Sequence, residues 1–277
     1  MPATRTLIGL IRASHPEPAA AVTIGAAALA AITGRSAPGV AAVALAVLAS
    51  QLAVGWHNDW LDADRDAATG RRDKPIAAGT ISRRTVGWGA GVAAAVTLPL
   101  ALLSGAVAAV VATVALVAAL AYNWPLKFTP VSVLPYAVSF GALPAFVVLG
   151  LPGAPALPWW LVAAGATLGA GAHFANVLPD LQDDARTGVR GLPHRIGPGW
   201  SATAAAILMA VASALLVLGP AGPPSALALV GLCAAVVVLV TGGYAQLRRP
   251  ASRGAFRAVL VAALIDVALL LTAGRVV

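Results

Sequence analysis

Long apolar segments alternate with short polar ones along this 277-residue chain. Each apolar segment is close to the ~20 residues that a helix needs to cross a bilayer. None shows the strict alternation of a membrane β-strand, so helices are the predicted spanning structure. The nine predicted spans are 17–34, 38–57, 84–103, 106–123, 131–150, 157–178, 200–219, 224–247 and 255–273.

A polar motif that follows the second span recurs after the sixth span, at an offset of 118 residues. It reads N-x-x-x-D-x-x-x-D and then A-x-T-G-x-R-x-x-P-x-x-x-G, and we call its copies the first and second frames. The nine identical pairs are Asn58/Asn176, Asp62/Asp180, Asp66/Asp184, Ala67/Ala185, Thr69/Thr187, Gly70/Gly188, Arg72/Arg190, Pro75/Pro193 and Gly79/Gly197. Four spans separate the frames, so both face one side of the membrane.

This arrangement predicts an all-α integral membrane protein with a single domain, 1–277. We expect two parallel repeats of four helices, approximately 1–130 and 131–247, with an extra helix at 255–273 and a central cavity between the helices. Composition agrees, because the chain is 60% hydrophobic and only 10% charged, whereas soluble domains carry about 25% charged residues.

Charge predicts the orientation. With the N-terminus inside, all but two of the 18 basic residues fall in inner loops, the exceptions being Arg35 and Arg275. The positive-inside rule therefore places the N-terminus and both frames in the cytoplasm and the C-terminus outside. The bias to Arg over Lys and the abundant Ala favour a bacterial plasma membrane. The net charge of +8 is then a topology signal, and no nucleic-acid partner is expected.

The frames carry most of the acidic residues of the chain. Residues four apart share a helix face, so each frame predicts one polar stripe. The two stripes are Asn58–Asp62–Asp66 and Asn176–Asp180–Asp184. Facing each other, they would form a pocket of four carboxylates and two amides, oxygen ligands that suit Mg²⁺. Nearby basic residues would attract a phosphate; they are Arg72, Lys74, Arg190 and Arg195. Tyr122 and Lys127, at the inner end of the fourth span, are candidates to bind the same diphosphate.

These motifs resemble the signatures of the UbiA superfamily of intramembrane prenyltransferases. The run N-D-W-L-D-A-D-R-D at 58–66 is similar to the first signature, N-D-x-x-D-x-x-x-D, and D-L-Q-D-D at 180–184 to the second. Residues 72–82 and 185–197 resemble the continuations of the two signatures. The usual Y-x-x-x-K is one residue longer here, and Lys74 stands where Arg is usual. With nine spans, the resemblance covers essentially the whole chain.

The resemblance implies that two Mg²⁺ ions bridge an isoprenyl diphosphate. The implied metal ligands are Asp62, Asp66, Asp180 and Asp184, with Asn58 and Asn176 orienting metal-bound water or phosphate and Asn58 counted in the metal site. The implied diphosphate ligands are Arg72, Lys74, Tyr122, Lys127 and Arg190. An allylic cation would form and alkylate an electron-rich, aromatic acceptor. Candidates to stabilise that cation through a ring face are Trp56, Trp60, Trp88 and Trp124.

Two other functions remain open. A terpene cyclase of the same superfamily would act on the diphosphate without an acceptor, and it ranks second because only 5% of the residues are aromatic. A cation transporter would place its carboxylates near the bilayer midplane, whereas these cluster at one side. No motif identifies the acceptor, the prenyl chain length or the oligomeric state.

Five ionisable residues carry smaller predictions. We expect His57 to be neutral and bonded to a backbone carbonyl, and His173 to share the face of Asn176, one turn away. His15 and His194 are predicted in loops. Asp266 lies in the ninth span, and the sequence names no partner for it.

Overall fold

The computed structural model describes residues 2–153, 155–248 and 254–272, and all regular elements in those ranges are helical. The α-helices are α1 (Pro2–Ala13), α2 (Pro16–Ile32), α3 (Ala37–Ala68), α4 (Arg83–Leu102), α5 (Ala106–Asn123), α6 (Leu134–Leu149), α7 (Trp159–Val177), α8 (Leu181–Arg186), α9 (Leu192–Leu218), α10 (Ala226–Arg248) and α11 (Gly254–Thr272). Two 3₁₀ turns are added, Leu126–Phe128 and Leu178–Asp180. The all-α prediction is confirmed.

Among the described residues, six helices are long and apolar enough to cross a membrane, namely α3, α4, α5, α7 with its 3₁₀ turn, α9 and α10. The helices α2 and α6 are also apolar but have 17 and 16 residues. Each predicted span coincides with a helix, although the predicted end of the last one, residue 273, lies outside the described residues, as does Arg275.

The two frames fold differently. The part of the first frame from Asn58 to Ala67 lies on α3, which continues to Ala68 and ends before Gly70, where φ is 70°. The corresponding part of the second frame, from Asn176 to Ala185, is divided between α7, the 3₁₀ turn Leu178–Asp180 and α8. Pro179 lacks the N–H that a regular helical turn would use, and a 3₁₀ turn rotates more per residue than an α-helix. The prediction of one regular α-helical stripe from Asn176 to Asp184 is therefore wrong.

The helices pack largely in chain order, and α11 returns to contact α2. Small residues allow close approach, as between α6 and α7, where a Cβ at Gly165 would lie 2.5 Å from the Phe140 carbonyl oxygen. Such contacts are typical of helices packed in lipid. One buried cluster centres on Val43 and Phe146, and another on Phe174 and Met209. The packing thus brings α2 and α11 together in one bundle.

Arg35 ties three helix ends together at the end of the bundle opposite the frames. Its Nη1 donates to Ser104 Oγ at 2.9 Å, in the turn after α4. It also packs against Gly150 at the end of α6, where a Cβ would overlap the guanidinium. A cation near helix C-termini is favourable. These contacts give Arg35 a structural role at this end of the bundle.

The variant Gly150→Ala is expected to lower the stability of the fold by about 2 kcal/mol, because the methyl group displaces a well-packed Arg35. Thermal unfolding in detergent measures the change. Gly25→Ala on α2 is the matched control, because a Cβ there meets nothing within 4 Å. Equal melting temperatures for the two variants would contradict the packing role of Arg35.

Candidate functional site

Asp62 is buried and lies at the centre of a polar cluster. Lys127 Nζ donates to its two carboxylate oxygens at 2.6 and 2.8 Å. Arg65 Nη2 and Asn58 Nδ2 donate to Oδ2 at 2.7 and 3.1 Å. Lys127 comes from the 3₁₀ turn after α5, and it is only 5% exposed. Burial lowers the pKa of Lys127, while the Asp62 carboxylate opposes that change. The site therefore concentrates positive charge on one carboxylate of the first frame.

Arg65 brings the two frames together. It pairs with Asp62, and its Nη1 also lies 3.9 Å from Asp184 Oδ1 in the second frame. His194 Nε2 lies 3.5 Å from the other oxygen of Asp184. We call the end of the bundle that carries these residues the frame side. The predicted meeting of the frames is thus visible in side-chain geometry, through an arginine that sequence reasoning counted only as a loop charge.

Arg71 makes a second link between the frames. It lies within electrostatic reach of Asp180 and Asp66, and its Nη2 donates to Asp73 at 2.8 Å. The hydrogen bond from Arg71 is the main cause that lowers the pKa of the Asp73 carboxyl, although partial burial acts in the opposite direction. Arg65 and Arg71 are both near frame carboxylates, so this end of the bundle offers guanidinium groups that can contact an anion.

Lys74, a predicted diphosphate ligand, lies beside a buried carboxylate on α3. It donates to Asp59 Oδ1 at 2.7 Å, and His15 Nε2 lies 3.0 Å from the same oxygen. Asp59 is 2% exposed, and its Oδ2 has no hydrogen-bond partner. His15, in the turn between α1 and α2 as predicted, thereby fixes α1 to α3, and Trp56 Nε1 adds a bond to the Leu10 carbonyl at 2.8 Å. Asp59 is the second residue of the first signature, and it is the feature of the sequence that could have indicated this cluster.

The other predicted site residues differ in exposure. Asp66 is buried, Asn58 and Asp180 are half-buried, and Arg72, Arg190 and Asn176 are exposed. Arg195 is exposed and its Nε donates to the Arg190 carbonyl at 3.0 Å. Among the described residues, no three His, Cys, Asp or Glu side chains converge tightly enough to hold a metal ion together. The side chains that do meet are Lys127 with Asp62, and Arg65 with both Asp62 and Asp184.

Aromatic rings line the interior beside the frames. Tyr122 packs edge-on against Tyr136 and His173, with ring centroids 4.8 and 5.4 Å apart. Phe140 stacks on Tyr136 and Phe174 contacts His173. We call these five residues the aromatic cluster. Tyr122 is within electrostatic reach of Asp184 and Asp62, so the cluster borders the carboxylates. The side chain of Asn176 lies close enough to Tyr136 to influence its hydroxyl.

The tryptophans have other surroundings. Trp56 is bonded to the Leu10 carbonyl, whereas Trp60, Trp88 and Trp124 are exposed. Trp124 packs edge-on against Phe128. None of them belongs to the aromatic cluster. The sequence marks two members of that cluster, Tyr122 as a diphosphate ligand and His173 as a neighbour of Asn176, whereas no motif spacing marks Tyr136, Phe140 or Phe174.

The structure corrects two histidine predictions and supplies a neighbour for Asp266. His57 Nδ1 contacts the side-chain amide of Asn123 at 3.3 Å, not a backbone carbonyl. His194 lies in the first turn of α9, not in a loop. Asp266 is buried near the side chain of Ser213. The Ser213 hydroxyl donates its hydrogen bond to the Met209 carbonyl at 3.1 Å and not to Asp266. His173 is buried and contacts Ser132 Oγ at 3.1 Å, which orders the loop before α6.

Comparison with known proteins identifies the family. The sequence model of the UbiA prenyltransferase family matches residues 19–266. A protoheme IX farnesyltransferase from Anaeromyxobacter sp. (strain Fw109-5) is 33% identical over 247 residues, covering 81% of this chain and 77% of that protein.

Solved structures of low sequence identity share the fold. A UbiA homolog from Archaeoglobus fulgidus, bound to GPP and Mg²⁺, aligns with a TM-score of 0.72 and 18% identity over 96% of this chain and 98% of that one. The apo structure of a UbiA homolog from Aeropyrum pernix K1 aligns with a TM-score of 0.72 and 20% sequence identity, over 97% of this chain and 98% of that one. The family match, the curated relative and the apolar helices lead to one conclusion: the chain belongs to the UbiA prenyltransferase family and is a multi-pass membrane protein.

Proposed function

We propose that the protein transfers an isoprenyl group from an isoprenyl diphosphate to an electron-rich, aromatic acceptor inside the membrane, with Mg²⁺ as cofactor. The observation that carries this proposal is the meeting of the two frames, where Arg65 contacts both Asp62 and Asp184. Carboxylates beside buried and half-buried cations suit a metal–diphosphate substrate. The carboxylates would compensate the charge of the metal ions, and the basic side chains would compensate the charge of the diphosphate.

The donor chemistry fits magnesium. Asp62, Asp66, Asp180 and Asp184 offer hard carboxylate oxygens, and Asn58 lies one turn from Asp62 on the same helix. Mg²⁺ prefers a few carboxylates together with waters and substrate phosphates, so a tight cage of protein ligands is not required. The Archaeoglobus fulgidus homolog was solved with GPP and Mg²⁺, which supports the same cofactor here. We propose two ions, which would supply charge stabilisation for the departing diphosphate.

The basic residues of the chain would hold the leaving group. Lys127 and Arg65, already beside Asp62, can turn their N–H donors toward diphosphate oxygens. Lys74 is the corresponding cation beside Asp59, and the exposed Arg72 and Arg190 complete the proposed set at the surface of the frame side. As the allylic C–O bond breaks, its electron pair passes to the diphosphate oxygen. Fixed cations stabilise that growing charge, which is electrostatic catalysis.

The aromatic cluster would stabilise the carbon fragment. Ring faces attract a cation most strongly where water is excluded, and Tyr122 with Tyr136 and His173 provides such faces next to the carboxylates. This assigns Tyr122 to the cation rather than to the diphosphate alone. The acceptor then attacks the allylic carbon and loses a proton. The farnesyltransferase relative acts on protoheme IX by its name, which supports an electron-rich conjugated acceptor.

We further propose nine membrane spans, α2 to α7 and α9 to α11, arranged as two four-helix repeats and an extra helix. The excess of Arg and Lys in the loops on the frame side supports a cytoplasmic location for the N-terminus and the site, in a bacterial plasma membrane. The C-terminal residues after 272 lie outside the described residues.

Removal of divalent metal is expected to abolish turnover, and added Mg²⁺ is expected to restore it. The measurement uses purified protein in detergent, radiolabelled geranyl, farnesyl or geranylgeranyl diphosphate, and a panel of phenolic and tetrapyrrole acceptors, with and without a chelator. Prenylated product that forms equally well in the presence of chelator would contradict the proposed cofactor. Absence of prenylated product with every acceptor of the panel would contradict the proposed transfer.

A terpene cyclase is the second candidate, favoured by the aromatic cluster, since ring faces can also guide a folding cation. Incubation with the same diphosphates but no acceptor separates the two functions. Metal-dependent release of a cyclic hydrocarbon would favour the cyclase, whereas the transferase releases product only when an acceptor is present.

A further inference from the structure

A groove opens at the surface of the bundle between α3, α4 and α5, outside the site described above. Its volume is about 430 Å³. Glycine and alanine on α4 form its floor, and Trp60 and Trp88 line it. These indoles are 37% and 66% exposed, and tryptophan is enriched where a membrane meets water. The groove therefore combines an apolar bed for a chain with an aromatic rim at the level of lipid headgroups.

Arg84 supplies charge to this groove. It is exposed, and no acidic side chain within the described ranges pairs with it. Its neighbour Arg83 differs, because Arg83 donates to Asp64 and to the Trp60 carbonyl, each at 2.9 Å. Of these two adjacent arginines, Arg84 is thus the one available to an anionic ligand.

His57 adds a neutral donor beside Arg84. Asn123 Nδ2 donates to the Val54 carbonyl at 2.9 Å, which fixes the orientation of the amide, and it lies 3.3 Å from His57 Nδ1. An amide nitrogen only donates, so His57 Nδ1 must accept, and the neutral ring carries its proton on Nε2. The lining of the groove therefore includes an N–H donor and a guanidinium, and both kinds of group bind phosphate oxygens.

The same histidine is connected to the candidate site. Asn58 Nδ2 lies 3.4 Å from Asn123 Oδ1 and 3.1 Å from Asp62 Oδ2. A chain of polar contacts thus runs from His57 through Asn123 and Asn58 to Asp62. A change in the position of the His57 ring would reach a carboxylate of the first frame through two amides.

We propose that this groove binds one anionic phospholipid from the leaflet on the frame side. Its phosphate contacts Arg84 and His57, and one acyl chain lies over Gly91 on α4. Anionic headgroups concentrate near juxtamembrane arginine, and the unpaired Arg84 is the complementary charge. Bound lipid positions Asp62 through Asn123 and Asn58. This second part rests on the proposed function, whereas the binding does not.

Binding is tested by native mass spectrometry of delipidated protein in a neutral detergent, titrated with phosphatidylglycerol. One tightly bound lipid is expected, with affinity about fivefold lower in Arg84→Gln, since one surface arginine is removed. Gly91→Leu should remove this lipid by filling the groove, and it leaves the helix intact because a Cβ at Gly91 meets nothing within 4 Å. Arg257→Gln, at an exposed arginine of α11, is the matched control and should bind normally.

Three results would overturn the proposed lipid site, the first two of which concern affinity. One is equal affinity for phosphatidylglycerol in the wild type, Arg84→Gln and Gly91→Leu. The other is equal affinity of the wild type for phosphatidylcholine, which would show an apolar groove without headgroup recognition. Competition by inorganic phosphate alone would identify a free-phosphate site and would likewise refute the lipid.

Positioning of Asp62 is tested separately by prenyl turnover in phosphatidylcholine nanodiscs, with and without phosphatidylglycerol. Stimulation of the wild type and its loss in Arg84→Gln are expected, with equal turnover of both proteins in pure phosphatidylcholine. Lipid binding without stimulation would overturn the coupling. Absence of turnover in every lipid would instead contradict the proposed function, and the binding measurement would still decide the site.

Discussion

The variant Asp62→Asn should lower prenyl turnover about 10³-fold, the size of effect seen when one preorganised electrostatic group is removed from an active site. Asp62 has contacts with Lys127, Arg65 and Asn58, so it organises the cations as well as offering metal ligands. An amide of the same shape keeps the volume but removes the negative charge. Steady-state turnover with a fixed diphosphate and acceptor measures the loss of rate, and its dependence on Mg²⁺ concentration measures the loss of metal affinity.

Asp64→Asn is the matched control on the same helix. Asp64 has a side chain that is 89% exposed and pairs with Arg83 at 2.9 Å, so its replacement should change turnover by no more than about twofold, as surface ion pairs contribute little. Because Asp62→Asn leaves the buried Lys127 without its anion, a melting temperature for each variant is needed to show that the protein is folded. A folded Asp62→Asn protein with wild-type turnover would remove Asp62 from the site.

The variant Lys127→Met should destabilise the protein by about 3 kcal/mol in the absence of divalent metal, because loss of the buried lysine leaves the buried Asp62 carboxylate with Arg65 as its remaining cationic partner. Added Mg²⁺ should reduce that loss, since a metal at the frames compensates Asp62 and stabilises the folded state by mass action. Turnover should fall about 10²-fold, because a donor to the diphosphate is also removed. Thermal unfolding with and without Mg²⁺ tests the stability claim.

Lys127→Arg is the comparison for this variant, as it keeps the charge while changing the shape of the donor group. It should retain more stability than Lys127→Met. If Mg²⁺ raises the melting temperature of the wild type and Lys127→Met equally, Asp62 is not beside the metal, and the proposed ligand set is wrong.

Much of the helical fold follows from local sequence. Apolar runs of about twenty residues, ended by Gly, Pro or polar loops, determine the helices because backbone groups in lipid must be satisfied within the segment. The continuous helix through Asn58, Asp62 and Asp66 follows for the same local reason. The broken second frame was also readable in principle from Pro179, but spacing arguments treated both frames alike. The N–H missing from Pro179 changes the rotation of the turn.

Contacts between distant segments were harder to predict. The His15–Asp59–Lys74 cluster joins a turn, a helix and a loop, and the aromatic cluster draws on α5, α6 and α7. No periodicity records which side chains meet across helices, because many packings satisfy the same hydrophobic pattern. The contact of Lys74, a predicted diphosphate ligand, with Asp59 is one of these long-range pairings.

Hydropathy and charge act on each segment independently, so a helical membrane protein with two acidic frames on one side is readable from the sequence alone. The tertiary structure decided which charges meet. It placed Arg65 between Asp62 and Asp184, buried Lys127 against Asp62, and connected His57 to Asp62 through two amides. Those pairings depend on how helices approach and rotate against one another, which is a property of the packed bundle rather than of any segment.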